Sequence, residues 1–430
     1  MYKKITSIIL SVLLIAFTLK NISAQEEILF WHSMGGANEE QINKIVEDFN
    51  ASQSDFKVEA VNQGKYDEST STFFNLNNTE GRPSLIQIGE QNLQSMIDSK
   101  LVTPFNDLIE KYDFPEEELL EGAISFYTYD DKLYAMPFNV SSPLIYYNID
   151  ALKAAGYEEA PKTYEEILEM ADIIKEKNNG MKVFGMHPYA YAVEQMVTNV
   201  GGFIINNDNG RSDRATEVAY QPQLTRIFNF FSELQKNDNF GYYGTNFDDV
   251  LTAFNNNEIA MFITTSAVAR SVIDNSTPNV GIAYLPTFED IEREGIYAAG
   301  GAITIPNNLS ETEEQGVMEF LKFATSSETQ ATWAGGTGYF PVNKLTYDSS
   351  IWKDIIEEYP GIQIAADQLL TSKNTKVTAG PLLSILPQLR TDLSTSLEMV
   401  FTGANPEDAV NQAAELTNGY IEAANAGQTE

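Results

Sequence analysis

The side chains that could carry chemistry in this sequence are numerous acids, two histidines and a few isolated cations. The chain has 61 Asp and Glu residues, His32 and His187 as its only histidines, and no cysteine. Thiolate chemistry is therefore excluded, and a zinc or iron site would lack its usual ligands. The sequence also contains no zinc-protease helix, serine-hydrolase elbow, Walker phosphate loop or EF-hand loop. We expect neither a metal nor a cofactor, and binding rather than catalysis.

Arg390 is the local cation best suited to an anionic ligand. It lies in Pro387-Gln388-Leu389-Arg390, near the start of a predicted helix. A guanidinium can hold a phosphate through two parallel hydrogen bonds, each worth roughly 1.5–3 kcal/mol when desolvated. The acidic composition favours an alternative in which Arg390 forms an ion pair with a neighbour such as Asp392 or Glu398. Both interpretations stay open at the level of sequence.

Further polar residues stand where predicted strands end or begin. Tyr66 follows one strand, and Glu90 follows the strand-like run 83–89. In parallel sheets, ligands bind beyond the carboxyl ends of the strands. Thr265 closes another apolar strand, where its hydroxyl either caps the next helix or contacts a ligand. The pair Gly300-Gly301 opens a strand and allows close approach of the backbone.

The pattern of apolar residues predicts two α/β lobes. Strands predicted at 28–32, 56–61 and 83–89 alternate with helices, which indicates a largely parallel sheet. A second unit begins with a helix capped by Thr163 and Glu166. The segment Pro137–Asn148 joins the two halves, and we interpret it as a passage between lobes that forms one wall of a ligand cleft. Within it, Ser141 and Ser142 lie where an extended backbone would present their hydroxyls.

Length, charge and the N-terminal segment limit the class of protein. A chain of 430 residues suggests two or three folding units. The net charge of −34 argues against nucleic acid as a partner. Residues 1–24 have a basic start, an apolar run and a small-residue end, which predicts a secretory signal peptide. Because no cysteine is available for a lipid anchor, we expect a periplasmic or secreted protein.

Seven motifs occur in an order that resembles the family-1 extracellular solute-binding proteins, and within them the glycerophosphate-binding branch of ABC importers. They are 30–34 (FWHSM), 63–66 (QGKY), 137–148 (PFNVSSPLIYYN), 161–163 (PKT), 300–302 (GGA), 337–341 (TGYFP) and 387–390 (PQLR). The resemblance covers essentially the whole mature chain.

The resemblance implies an α/β, type II periplasmic-binding-protein fold. Its discontinuous lobes would comprise residues 25–144 with 264–330, and 145–263 with 331–430. It also implies capture of sn-glycerol-3-phosphate or related glycerophosphodiesters by hinge closure, delivery to ABC permease subunits, and a monomer without a cofactor. The implied ligand contacts are Tyr66, Glu90, Ser141, Thr265, Gly301, Tyr339 and Arg390. Tyr164, where the family often has tryptophan, would offer an aromatic face.

Two other functions remain open from the residues. The first is an oligosaccharide or disaccharide binder of the same fold, in which Arg390 has only a structural role. The second is an exported hydrolase that acts on glycans or glycerophosphodiesters through two of the many acids. A pair of carboxylates carries little information in so acidic a chain.

Overall fold

The structure, a computed structural model, describes residues 25–76 and 81–427. The predicted signal peptide, residues 1–24, lies outside the described residues. Across the two described ranges, no helix has both the length and the apolar character needed to cross a membrane.

Strands and helices alternate through much of the chain. The strands are β1 (Glu26–His32), β2 (Phe56–Asn62), β3 (Leu85–Gly89), β4 (Val102–Thr103), β5 (Thr128–Tyr129), β6 (Lys132–Leu133), β7 (Met136–Ser141), β8 (Pro143–Asn148), β9 (Lys182–Gly185), β10 (Phe240–Gly241), β11 (Ile259–Thr265), β12 (Val280–Ala283) and β13 (Ala299–Pro306).

The helices are α1 (Ala37–Ser52), α2 (Tyr66–Leu76), α3 (Leu93–Ser99), α4 (Asn106–Lys111), α5 (Glu121–Ser125), α6 (Ile149–Ala154), α7 (Tyr164–Lys177), α8 (Ala190–Asn199), α9 (Gln221–Lys236), α10 (Phe247–Asn255), α11 (Ala269–Asn275), α12 (Glu311–Ala324), α13 (Ser327–Thr337), α14 (Ser350–Glu358), α15 (Pro360–Leu370), α16 (Leu386–Phe401) and α17 (Pro406–Ala426). Residues 206–210 form a left-handed turn.

The first sheet has the order β2-β1-β3-β13-β4, and β7 also pairs with β13. Strands β1, β2 and β3 run parallel, which confirms the prediction for this part of the chain. The sheet becomes mixed at β13, which is antiparallel to β3, β4 and β7. Helix α1 buries one apolar face, and its Phe49 ring lies 5.3 Å from the Phe320 ring of α12. These helices cover the core of the first lobe.

The second sheet has the order β10-β9-β11-β8-β12. Helix α7 begins at the predicted capping box, in which Thr163 accepts from the Glu166 backbone and the Glu166 side chain accepts in return. Helices α9 and α16 pack through Phe231 and Phe401, whose rings are 5.3 Å apart. The second lobe is therefore an α/β unit with its own sheet and helical cover.

The chain crosses between the sheets within the segment that the sequence singled out. Strand β7 belongs to the first sheet and β8 to the second, with only Ser142 between them. The chain returns between β12 and β13, and it leaves the first lobe again after Asn343, which forms a bridge with Leu119. Beyond that point α15 packs on the second lobe, where Gly361 faces Ile282.

These pairings correct the expected lobe boundaries. Residues 264–298 belong with the second lobe, because β12 is antiparallel to β8 and Ala269 lies in the same apolar cluster as Leu144. Residues 331–343 stay with the first lobe, because Asn343 bridges Leu119 in the same way that Phe340 bridges Val140. The strand that pairs with β12 lies more than a hundred residues away, so a local pattern of apolar residues does not identify it.

Candidate ligand-binding cleft

The glycine pair that opens β13 brings the backbone against the end of β3. Gly300 donates its N–H to Glu90 Oε2 at 3.0 Å. Its φ is +128°, and a Cβ there would lie 2.4 Å from the carbonyl oxygen of Asn139. Only glycine fits both the backbone angle and the contact. The pair therefore fixes the Glu90 carboxylate beside the passage between the lobes.

Tyr66 and Gly301 meet at the same place. Tyr66 Oη accepts a hydrogen bond from Asn139 Nδ2 at 2.9 Å, and Asn139 Oδ1 accepts from Gln87 Nε2 at 2.8 Å. A Cβ on Gly301 would lie 2.6 Å from Tyr66 Oη, so the absence of a side chain makes room for the phenol. Burial raises the pKa of Tyr66 well above its ordinary value. The phenol therefore remains protonated and can donate a hydrogen bond.

Tyr339 is held in place by a stacked ring. Its ring is nearly parallel to that of Trp333, with centroids 5.4 Å apart. The Tyr339 hydroxyl lies 3.8 Å from Met34 Sδ, on the first lobe. Burial raises the pKa of Tyr339 to about 12. Tyr66 and Tyr339 thus present two neutral phenols from the same lobe.

Arg390 lies between acids from both lobes, near the start of α16. Its Nη2 donates to Glu90 Oε1 of the first lobe at 2.7 Å. Its Nε and Nη2 donate to the two carboxylate oxygens of Glu194 in the second lobe, at 2.8 and 3.0 Å. Burial alone would lower the pKa of Arg390, but the carboxylates of Glu194 and Glu90 outweigh it and hold the pKa well above its usual value.

The partners of Arg390 differ from the acids considered at the level of sequence. Asp392 instead accepts from Thr417 at 2.9 Å, and Glu398 accepts from Tyr242 at 2.6 Å. Both acids lie on the same helix as Arg390, whereas its actual partners come from distant parts of the chain. The side chain of Arg390 is 17% exposed, that of Glu90 5% and that of Glu194 0%. The cluster is therefore a buried junction between lobes, unlike a solvated surface pair.

Tyrosines surround this cluster. The Tyr191 ring centroid lies 5.4 Å from the Arg390 guanidinium, and its hydroxyl donates to the Ser141 carbonyl oxygen at 2.8 Å. Tyr297 donates its hydroxyl to Glu194 Oε2 at 2.8 Å. Ser141 itself is 5% exposed, at the end of β7. Ser141 and Arg390 are therefore linked through Tyr191.

Thr265 and Ser142 stabilise the backbone at the crossing. The Thr265 hydroxyl accepts from the N–H of Ala267 at 3.2 Å, so it caps the following turn. Ser142 Oγ accepts from Gln368 Nε2 at 3.0 Å, and the Ser142 N–H donates to Ser266 Oγ at 3.2 Å. Of the two interpretations of Thr265, the structure shows the capping contact.

Tyr164 lies apart from the other candidate residues. The capping box at Thr163 sets the first turn of α7 so that the Tyr164 ring enters the core of the second lobe, where the residue is 1% exposed. Its ring centroid is 4.9 Å from that of Phe230 and 4.6 Å from that of Phe288. The aromatic ring beside Arg390 is that of Tyr191, so the expectation that Tyr164 forms the aromatic face is corrected here.

Glu194, Tyr191 and Tyr297 are site residues that the sequence did not indicate. One signal was present: Glu194 is the acid within α8, a helix that is buried throughout its length. A buried acid requires a partner of opposite charge or a hydrogen-bond donor. The sequence of α8 could therefore have indicated a buried ion pair, but not which cation forms it. Among the described residues, no group of three or more His, Cys, Asp or Glu side chains could hold a metal ion.

A family profile described as "Bacterial extracellular solute-binding protein" matches residues 44–361. The chain belongs to this family of solute-binding proteins. Among curated relatives, the sn-glycerol-3-phosphate-binding periplasmic protein UgpB of Escherichia coli K12 is 28% identical over 411 residues, which is 93% of each chain. The UgpB of Pectobacterium atrosepticum is 28% identical over 424 residues, covering 95% of this chain and 94% of the relative.

Solved structures share the fold of this solute-binding protein. UgpB from Mycobacterium tuberculosis, in complex with glycerophosphocholine, superposes with a TM-score of 0.78 at 19% identity, covering 94% of this chain and all of that one. The GacH receptor of Streptomyces glaucescens, solved in the unliganded form and in complex with acarbose, superposes with a TM-score of 0.77 at 16% identity. The match covers 93% of this chain and 99% of the receptor chain. The predicted two-lobed type II fold is confirmed, and the family role is solute binding for an ABC importer.

Proposed function

We propose that this protein binds sn-glycerol-3-phosphate, with glycerophosphodiesters as further ligands, and delivers it to the permease of an ABC importer after hinge closure. The observation that carries this proposal is the position of Arg390, a buried guanidinium at the junction of the two lobes. The glycerol-3-phosphate-binding relatives, which align with nearly the whole chain, support it. On this proposal the protein is exported, works in the periplasm as a monomer and catalyses no reaction.

The chemistry of the cluster suggests how the ligand would lie. The phosphate would contact Arg390, the hydroxyls of Ser141 and Tyr339, and the backbone at Gly301. Because Arg390 donates to Glu90 at 2.7 Å, a phosphate that takes this edge of the guanidinium displaces that carboxylate. A carboxylate repels phosphate, so the displaced Glu90 would turn to the glycerol hydroxyls.

Two other side chains complete this arrangement. Tyr66, whose hydroxyl lies against Gly301, would bind the glycerol hydroxyls together with the displaced carboxylate. Tyr191 would give the aromatic face that was expected of Tyr164, since its ring lies beside Arg390. A guanidinium at the phosphate end and a carboxylate at the glycerol end would orient the ligand in the cleft.

The test is calorimetry on Arg390→Ala. Loss of a charge-assisted hydrogen bond of roughly 1.5–3 kcal/mol should weaken binding of glycerol-3-phosphate at least about tenfold. The substitution also leaves Glu90 and Glu194 without their cation, so the thermal stability of the variant protein has to be measured together with its affinity. Arg390→Lys keeps the charge without the planar fork and should give an intermediate affinity. Arg226→Ala is the control, because Arg226 forms an exposed pair with Asp290. Wild-type affinity in a folded Arg390→Ala protein would refute the assignment.

The tyrosines around the cluster favour a second candidate, a binder of oligosaccharides or disaccharides. Aromatic rings and carboxylates suit sugar rings and hydroxyls, and Tyr191 and Tyr339 supply such surfaces. A thermal-shift panel of glycerol-3-phosphate, glycerophosphocholine, inorganic phosphate, maltose and trehalose separates the two candidates. A sugar that stabilises the protein more than glycerol-3-phosphate at equal concentration would decide for the second.

A further inference from the structure

Glu194 occupies one edge of the Arg390 guanidinium from within the second lobe. Its two oxygens accept from Arg390 Nε at 2.8 Å and from Nη2 at 3.0 Å. One of these oxygens also accepts from the Tyr297 hydroxyl at 2.8 Å, and Glu194 is 0% exposed. Both partners belong to the same lobe, so hinge motion need not break this contact. The Nε edge of Arg390 is therefore closed to a ligand.

The opposite edge of Arg390 is the one that a ligand can reach. There Nη2 donates to Glu90 at 2.7 Å, and Nη1 makes only a long contact of 3.4 Å with Gln91 Oε1. Both acceptors come from the first lobe, so these contacts depend on how the lobes meet. A phosphate can bind the Nη1/Nη2 edge through two parallel hydrogen bonds once it replaces Glu90. Glu194 thus determines the side from which the phosphate approaches.

The cluster also carries an excess of negative charge. One guanidinium faces two carboxylates, Glu90 and Glu194, which gives a formal charge of −1 before a ligand arrives. The other ionisable groups around it are tyrosines, and burial raises the pKa of each, so that they stay neutral at assay pH: Tyr66, Tyr127, Tyr189, Tyr191, Tyr297 and Tyr339. His187 stacks on Tyr189, and burial lowers the pKa of His187 to about 4. It is therefore neutral above pH 5.

We infer that Glu194 is a positioning and selectivity residue: it fixes the open edge of Arg390 and makes the cleft prefer a singly charged phosphate group over a doubly charged one. This inference rests on the proposed function and identifies the charge form that the site binds. A phosphodiester carries one charge at every assay pH. A phosphomonoester carries one below its second pKa of about 6 and two above it. Each added charge is repelled by the uncompensated carboxylate in a site that excludes water.

The experiment is calorimetry of the intact protein at pH 5.5 and 7.5, with glycerol-3-phosphate and glycerophosphocholine as probes. The singly charged fraction of a monoester with pKa about 6 falls about 25-fold between these pH values. Glycerol-3-phosphate should therefore bind up to about 25-fold more weakly at pH 7.5, whereas the diester should change less than about twofold. Diester binding also reports any pH effect on the protein itself.

Glu194→Gln keeps the shape and an acceptor for Arg390 but makes the cluster neutral. In this variant the pH dependence for glycerol-3-phosphate should fall below about threefold, with affinity at pH 7.5 raised. Glu398→Gln is the matched control, since it also removes a carboxylate with a tyrosine partner, at 2.6 Å, but away from Arg390. It should keep the wild-type pH dependence.

Three results would overturn the inference, and they are distinguishable. If the wild-type protein binds glycerol-3-phosphate equally well at both pH values, the selectivity does not exist, although the proposed function stands. If Glu194→Gln folds and retains the full pH dependence, another group is responsible. If the wild-type protein binds neither probe, the proposed function and the inference fail together. The wild-type comparison is decisive even if the variant does not fold.

Discussion

Arg211 provides a demanding test of how the two lobes are held together. Its guanidinium donates to backbone carbonyls of both lobes, and among the described residues it forms no ion pair with a carboxylate. Burial lowers the pKa of Arg211 to about 10. Its acceptors are the carbonyl oxygens of Gly380 (2.8 Å), Thr128 (3.0 Å), Phe126 (2.9 Å), Ala379 (2.6 Å) and Ser125 (3.5 Å).

The magnitude follows from the number of acceptors. Arg211→Met leaves four carbonyls, all within 3.0 Å of the guanidinium, without their donor. An unsatisfied buried acceptor costs about 1–3 kcal/mol, and water reaches part of this site, so we take about 1 kcal/mol for each. The guanidinium also no longer needs to be desolvated, which offsets part of the loss. We expect the free energy of unfolding to fall by about 3 kcal/mol or more.

The assay is urea unfolding followed by circular dichroism. Arg211→Lys keeps the charge but cannot reach carbonyls on both sides with a planar fork, so it should lie between the wild type and Arg211→Met. Arg226→Met is the control, because its exposed pair with Asp290 should contribute less than about 1 kcal/mol. If Arg211→Met lowers the free energy of unfolding no more than this control does, the hydrogen bonds from Arg211 to the surrounding carbonyl oxygens do not stabilise the junction between the lobes.

Two further predictions concern residues of the expected site. Tyr164→Phe removes a buried hydroxyl that has no hydrogen-bond partner in the described structure, so the free energy of unfolding should stay equal or rise by about 1 kcal/mol. Ligand affinity should change less than about twofold. A large loss of affinity in calorimetry would show that Tyr164 contacts the ligand. Gly301→Ala places a Cβ 2.1 Å from Asn139 Oδ1 and 2.6 Å from Tyr66 Oη, so the Asn139 amide and the phenol that it holds must both move, and binding should weaken at least about tenfold. Unchanged affinity with wild-type stability would show that the Asn139–Tyr66 pair does not position the ligand.

Local chemistry made much of the fold predictable. The capping box at Thr163, the helices that alternate with the first strands and the three parallel strands of the first sheet depend on neighbours in sequence, and each was found as expected. The crossing at Pro137–Asn148 was predictable because the segment joins two halves of the chain with different sequence patterns. The later lobe boundaries were not predictable from local sequence, since they depend on which distant strand pairs with β12.

The site was predictable only in part, for the same physical reason. Arg390 could be identified as the cation with ligand-binding geometry, but its partners are separated from it by 196 and 300 residues. Composition suggested acids nearby on the same helix instead. Packing between helices and strands decides which carboxylate is buried beside a guanidinium. The spacing of residues along one helix does not determine it. Tyr164 was expected in the cleft because the family often has tryptophan at this position, whereas the first turn of α7 directs its ring into the core.

The junction at Arg390 also limits how a ligand can drive closure. Arg390 is held within its own lobe by Glu194 and already reaches the first lobe through Glu90, so the lobes attract each other across this pair without help from a ligand. A ligand that displaces Glu90 removes that attraction and must replace it with contacts of its own to the first lobe. Only the difference between the two sets of contacts shifts the population toward the closed form. Ser141, Tyr339, Tyr66 and the backbone at Gly301 are the first-lobe groups placed to supply that difference, and without such contacts a tightly bound phosphate would occupy Arg390 and close nothing.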